Sequence, residues 1–137
     1  MPPFAEPAAL AYLPSAAPAK VETAESHGRD LLLLGAALER IAAARMHLDR
    51  GECAAKSRLL HSAMEHIGEL RKGLDLATGN VMVTNLDDVY DYAWRQLSRA
   101  MLQNRRDALD EVADLLREIG SAWMNVRARE DSDVRWR

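Results

Sequence analysis

Apolar residues recur three and four positions apart in four stretches between residues 29 and 126, separated by short polar breaks. At about 100° per residue that spacing lines one face of an amphipathic helix. The first stretch, 29 to 49, aligns Leu31, Leu34, Leu38, Ile41 and Leu48, and stops at DRGE, 49 to 52, where Gly51 interrupts it. The second runs from 52 to 73 on Leu60, Ala63, Ile67 and Leu70, and reaches on to Leu74. DLATGNVMVT, 75 to 84, holds the turn residues Gly79 and Asn80 and forms a longer connection. Thr84 or Asn85 is placed to cap the third helix, with Asp87 and Asp88 in its first turn. Its stripe is Leu86, Val89, Ala93, Leu97 and Ala100, flanked by Tyr90 and Met101. After NRRD, 104 to 107, with Asp107 as cap, the fourth stripe is Ala108, Val112, Leu115, Leu116, Ile119, Trp123 and Val126. Breaks of about two to eight residues join antiparallel neighbours. The expected architecture is therefore an all-α, antiparallel four-helix bundle.

The flanks differ from this pattern. All five prolines fall within residues 1 to 20, so that segment is expected as an extended Pro/Ala-rich arm. Its Phe4, Leu10, Tyr12 and Leu13 fit either an arm that touches an apolar surface, such as a client groove, or a disordered tail. The bundle is expected over 21 to 126, and the mostly charged stretch 127 to 137 is expected as a tail beyond it.

Composition narrows the function. A chain of 137 residues with 48% hydrophobic and 28% charged residues has a globular balance and can bury a real core. The net charge of −3, with cations interleaved among acids, gives no general attraction to nucleic acid. LLLLGAAL, 31 to 38, is too short to insert in a bilayer, and no basic residue precedes Lys20. The lone Cys53 suits a reducing compartment, so the cytoplasm is expected, with Cys53 as a small buried or half-buried side chain. No metal or other cofactor is expected: the residues three before the four histidines are Ala24, Ala44, Arg58 and Ala63, and HSAMEH, 61 to 66, is not a zinc motif. No nucleophile, phosphate loop or catalytic residue is written in the chain.

Tyr90, Asp91 and Tyr92 stand in a row on the third helix. Adjacent helical residues diverge too far to converge easily on one substrate atom, so an acid and base role for the triplet is not expected. Tyr90 flanks the core stripe, whereas Tyr92 points about 200° away, toward another helix or a partner. Asp91 is expected to be solvated. Trp123 reads as core, and Trp94, at the edge of its stripe, as a seal between helices or part of an exposed patch.

Three stretches carry a resemblance to a known family: VETA at 21 to 24, LHSAMEHIGELRKGLD at 60 to 75, and TGNVMVTNLDDVYDYAWRQL from 78 with SAW at 121 to 123. The last is the most specific, because its Asn-Leu, Tyr-Asp-Tyr and Ala-Trp landmarks recur in order across two helices. Together they resemble the flagellar secretion chaperones, the FliS family. Two positions depart from the family pattern: Ser26-His27-Gly28-Arg29-Asp30 lacks a helix-initiating proline, and Leu34-Gly35-Ala36-Ala37 replaces a Tyr-Asp-Gly-Ala run. The first predicts a start that frays easily.

The resemblance implies an antiparallel bundle without catalysis that binds the disordered C-terminal segment of flagellin, prevents premature polymerisation and delivers it to the flagellar type III export gate. Helix-in-groove recognition needs apolar surface and no reaction centre. On the second and third helices, Ile67, Leu70, Leu86, Val89, Tyr92, Ala93 and Leu97 are the candidate contacts. All but Tyr92 read equally as core, and Tyr92 reads equally as a residue that closes the bundle. A self-associating helical adaptor, dimeric and without flagellin as client, is the alternative function.

Overall fold

The computed structural model describes residues 24 to 135, and their side chains from 28 to 125. The proline-bearing arm, most of VETA, the side chain of Val126 and Trp136 lie outside these ranges. The described residues form four α-helices: α1 (Ala24–Asp49), α2 (Cys53–Lys72), α3 (Val81–Leu102) and α4 (Arg106–Arg135). A single 3-10 turn, Leu76–Thr78, precedes α3. Each helix packs against two others, α1 on α2, α2 on α3, α3 on α4 and α4 back on α1. The result is the expected all-α four-helix bundle.

The helix ends follow local chemistry. Gly51 takes a left-handed φ of 75° after α1. There its N–H donates to the Leu48 carbonyl at 3.0 Å and the Glu52 N–H donates to that of His47 at 2.9 Å. This is the Schellman closure that a glycine permits. α3 starts four residues before Asn85, because the Asn80 side chain accepts from the Met82 N–H at 2.8 Å and caps the helix there. Gly79, with φ 68°, turns the chain into that cap. Thr84 and Asn85 are thus inside the helix, and Asp87 and Asp88 lie beyond its first turn. Asp107 is likewise not a cap but a first-turn residue of α4. It accepts two hydrogen bonds from the Arg105 guanidinium, at 3.1 and 3.0 Å, which hold its carboxyl below the usual carboxylate range. At the other end the backbone of α4 stays helical through Arg135, past the expected end of the stripe.

All four stripes meet in one core. Leu34, Ala37, Ile41 and Ala44 of α1 face Leu60, Ala63, Ile67 and Leu70 of α2, and α3 and α4 complete it with residues such as Val89, Leu97, Val112, Leu116 and Ile119. Leu31, Leu38, Leu48 and Leu74 are only partly buried and pack at its margin. Each fully buried aliphatic side chain contributes about 1.5–3 kcal/mol relative to exposure.

Two polar contacts hold buried side chains in place. Tyr90 enters the core, and Tyr92, on the other flank of α3, is also buried. Both can be buried because α3 has a neighbour on either side, α2 and α4. The Tyr92 hydroxyl donates to Glu111 Oε1 of α4 at 2.7 Å, so Tyr92 closes the α3–α4 seam. Lys56 is 2% exposed, and its ammonium donates to Asn104 Oδ1 at 3.1 Å and to the Met101 carbonyl at 3.4 Å. A cation there complements the negative end of the α3 dipole.

Exposed ion pairs tie the outside: Arg45 to Asp110 at 2.9 Å, Arg106 to Asp49 at 3.4 Å and Arg29 to Glu69 at 3.4 Å. Arg71 of α2 reaches Asp87 at 2.6 Å and Asp91 at 3.0 Å on α3. The hydrogen bonds that Arg71 donates to Asp87 are the main cause that raises the Arg71 pKa above its ordinary value.

Two outcomes follow for stability, measured by urea unfolding. Lys56→Met keeps the stem and removes the buried charge, so it should stay within about 1 kcal/mol of the parent, whereas Lys56→Glu should cost more than about 3 kcal/mol by burying an anion against a helix C-terminus. Tyr92→Phe keeps the ring and loses the bond to Glu111, and should cost about 1 kcal/mol.

Candidate partner-binding surface

The seven candidate contacts, Ile67, Leu70, Leu86, Val89, Tyr92, Ala93 and Leu97, are all buried, at 0% to 5% exposure. Six belong to the common core, and Tyr92 sits outside it on the seam with α4. Their stripes face inward because closure of the bundle uses the whole apolar face of α2 and α3.

What the described surface offers a partner lies elsewhere. Leu32 and Met46 stand out from α1, Leu76 from the turn before α3, Val81 and Leu102 from the two ends of α3 and Met124 from α4. Trp94 of α3 is 42% exposed, so of its two readings the exposed patch holds. Trp123, by contrast, is core. Asp91 is not solvated alone: it accepts from Arg71 Nη1 at 3.0 Å and from Arg95 Nε at 3.0 Å. Cys53, expected to be at least half-buried, is exposed, because it stands at the first position of α2, off the packed face.

Between α2 and α3 the surface is concave. Met64, Gly68 and Trp94, with His61, Glu65, His66, Glu69 and Lys72, enclose about 530 Å³. α2 supplies seven of these eight residues from its outward flank, and Trp94 forms the opposite wall from α3. Glu69 is held by Lys72 at 3.3 Å and by Arg29 at 3.4 Å. Glu65 meets only an imidazole, His61 at 3.9 Å, among the described residues. His66 Nε2 is buried and has no hydrogen-bond partner, a condition that costs about 1–3 kcal/mol. Gly68 lies inside α2, where glycine costs about 1 kcal/mol relative to alanine. A Cβ on Gly68 would meet nothing within 4 Å, so the packing of the bundle does not require a glycine there.

The groove was partly written in the sequence. A glycine inside the helical run HSAMEHIGEL and a tryptophan at a stripe edge are its one-dimensional signs. The spacing puts Lys56 in line with Leu60, Ala63 and Ile67, but nothing in the pattern shows what receives its charge, because the acceptors come from the end of α3 and the connection after it. Among the described residues no three His, Cys, Asp or Glu side chains gather as metal ligands, and no helix is long and apolar enough to cross a membrane. The chemistry available is apolar contact, aromatic stacking and ion pairing.

Comparison with known proteins places the chain in a family. The family model described as "Flagellar protein FliS" matches residues 10–130. The flagellar secretion chaperone FliS of Salmonella typhimurium is 34% identical over 117 residues, covering 85% of this chain and 87% of that protein. The flagellar secretion chaperone FliSB of Pseudomonas aeruginosa is 37% identical over 108 residues, 79% of this chain and 86% of its own length. FliS of Vibrio cholerae is 30% identical over 116 residues, 85% of each chain. The match runs through all four helices and both landmark stretches of α2 and α3, and the chain belongs to the FliS family of flagellar proteins.

Proposed function

We propose that this protein is a cytosolic export chaperone that binds the disordered C-terminal segment of flagellin, keeps it from polymerising and delivers it to the flagellar type III export gate. The observation that carries the reading is the match of residues 10–130 to the FliS family, whose relatives are named as flagellar secretion chaperones. The bundle suits that work. Its exposed apolar side chains, from Leu32 on α1 to Met124 on α4, are spread over several helices and fit a client that wraps around the bundle better than one that inserts at a point.

In this reading the client is held by a bundle that stays closed. Ile67, Leu70, Leu86, Val89, Ala93 and Leu97 act as the floor that fixes how far apart α2 and α3 lie, and Tyr92 fixes α3 against α4. The exposed residues above them take the direct contact. A segment that orders on binding loses conformational freedom, so a large contact area gives only moderate affinity. That keeps release at the export gate feasible. No catalytic step is part of the function.

Co-purification tests the client directly. Full-length flagellin should be captured, and flagellin lacking its C-terminal segment should be lost; equal capture of both rejects the proposal. The floor role has its own outcome. Ile67→Ala should lower unfolding free energy by about 2–5 kcal/mol. Its folded fraction should bind flagellin within about threefold of the parent, a difference of about 0.6 kcal/mol. A folded Ile67→Ala protein that has lost flagellin would instead make Ile67 a direct contact.

A further inference from the structure

The groove between α2 and α3 combines features that the bundle does not need for itself. Gly68 forgoes a side chain although the fold leaves room for one. Trp94 keeps 42% of its surface in solvent, a large aromatic face of the kind that anchors protein contacts. Glu65 has no cationic side chain of Lys or Arg on it among the described residues, whereas its neighbour Glu69 has two. His66 Nε2 is left without a hydrogen bond in the wall of the same groove. Any one of these is ordinary, but all four line one space of about 530 Å³.

The chemistry that answers them together is specific. An apolar side chain can enter over Gly68 and Met64, where no Cβ obstructs it. The open face of an indole favours a cation, and arginine most of all, because its planar guanidinium stacks while its N–H fork stays free. Glu65 supplies the opposite charge in the lining of the same groove. A rotation of the His66 ring toward an incoming N–H would satisfy its nitrogen in the Nδ1-protonated form. An acidic side chain would gain none of this and would face Glu65 directly.

We propose that the α2–α3 groove is a docking site for a partner segment that presents an arginine beside an apolar residue, with the guanidinium between the Trp94 indole and the Glu65 carboxylate. The inference rests on the reading of this chain as a protein-binding chaperone, and it does not require flagellin to be the partner that docks there.

The test uses the full ¹⁵N-labelled chain and three dipeptide probes: N-acetyl-leucyl-arginine amide, its uncharged citrulline analogue and N-acetyl-leucyl-glutamate amide. The arginine probe should move the Trp94 indole N–H resonance and saturate at a concentration at least threefold lower than citrulline, with the glutamate probe weaker still. Gly68→Leu, which fills the groove from a position with open space, should abolish the response while amide resonances of α1 and α4 stay in place. Glu65→Gln should remove the preference for arginine over citrulline and keep the weaker response to both, and it carries the test if Gly68→Leu does not fold. An equal response to the glutamate probe, no Trp94 response to the arginine probe, or full binding by folded Gly68→Leu would overturn the proposal. Flagellin capture scored on the same proteins separates the two readings: capture with a failed probe test rejects the groove alone, and probe binding without capture rejects the client alone.

Discussion

Closure of the ring of helices is the constraint on which everything else in this protein depends. A helix with two packed neighbours must bury an arc wider than a single stripe. α3 shows the consequence most clearly: Val89, Ala93 and Leu97 fill the centre, and Tyr90 and Tyr92 cover its two flanks. The same closure brings Lys56 of α2 under the end of α3, where the last-turn carbonyl of Met101 and the Asn104 side chain receive its ammonium. It also decides what is left for binding, because apolar faces spent on the core are no longer available to a partner. The residues that remain outside, Trp94 among them, are the ones the helices could leave unpacked.

Much of this architecture was legible in the spacing of apolar residues. The stripes of α3 and α4 are buried residue for residue from Leu86 to Trp123, because a 3.6-residue period that is consistently apolar has only one way to be satisfied. Helix ends were less legible. Asn80 won over Thr84 and Asn85 as the α3 cap because Gly79 before it can turn left-handed, and two adjacent capping residues in sequence do not reveal which one the turn will deliver. Asp107 looked like a cap but pairs with Arg105 instead.

The functional surface was the hardest part to see, for a physical reason. A stripe residue and a contact residue are chemically alike, so the spacing of Ile67 and Leu97 does not tell core from surface; the structure shows both fully buried. The groove depends on residues one turn apart on the outer flank of α2 and on a tryptophan across from them on α3. Their proximity is a property of the packing, not of the spacing. The family resemblance, by contrast, rested on landmarks in order along the chain, and it coincides with the match over residues 10–130.

In the proposed function holding is separate from folding: the core closes the bundle, and the client is bound by what stands above it. Native-state hydrogen exchange of the protein, free and saturated with the flagellin C-terminal segment, tests that separation most directly. The core amides of α2 and α3, from Ile67 to Leu70 and from Val89 to Leu97, should keep or gain protection in the complex. Loss of protection at those amides on binding would mean that the client opens the bundle and enters its core, and would contradict a closed chaperone that binds from its surface.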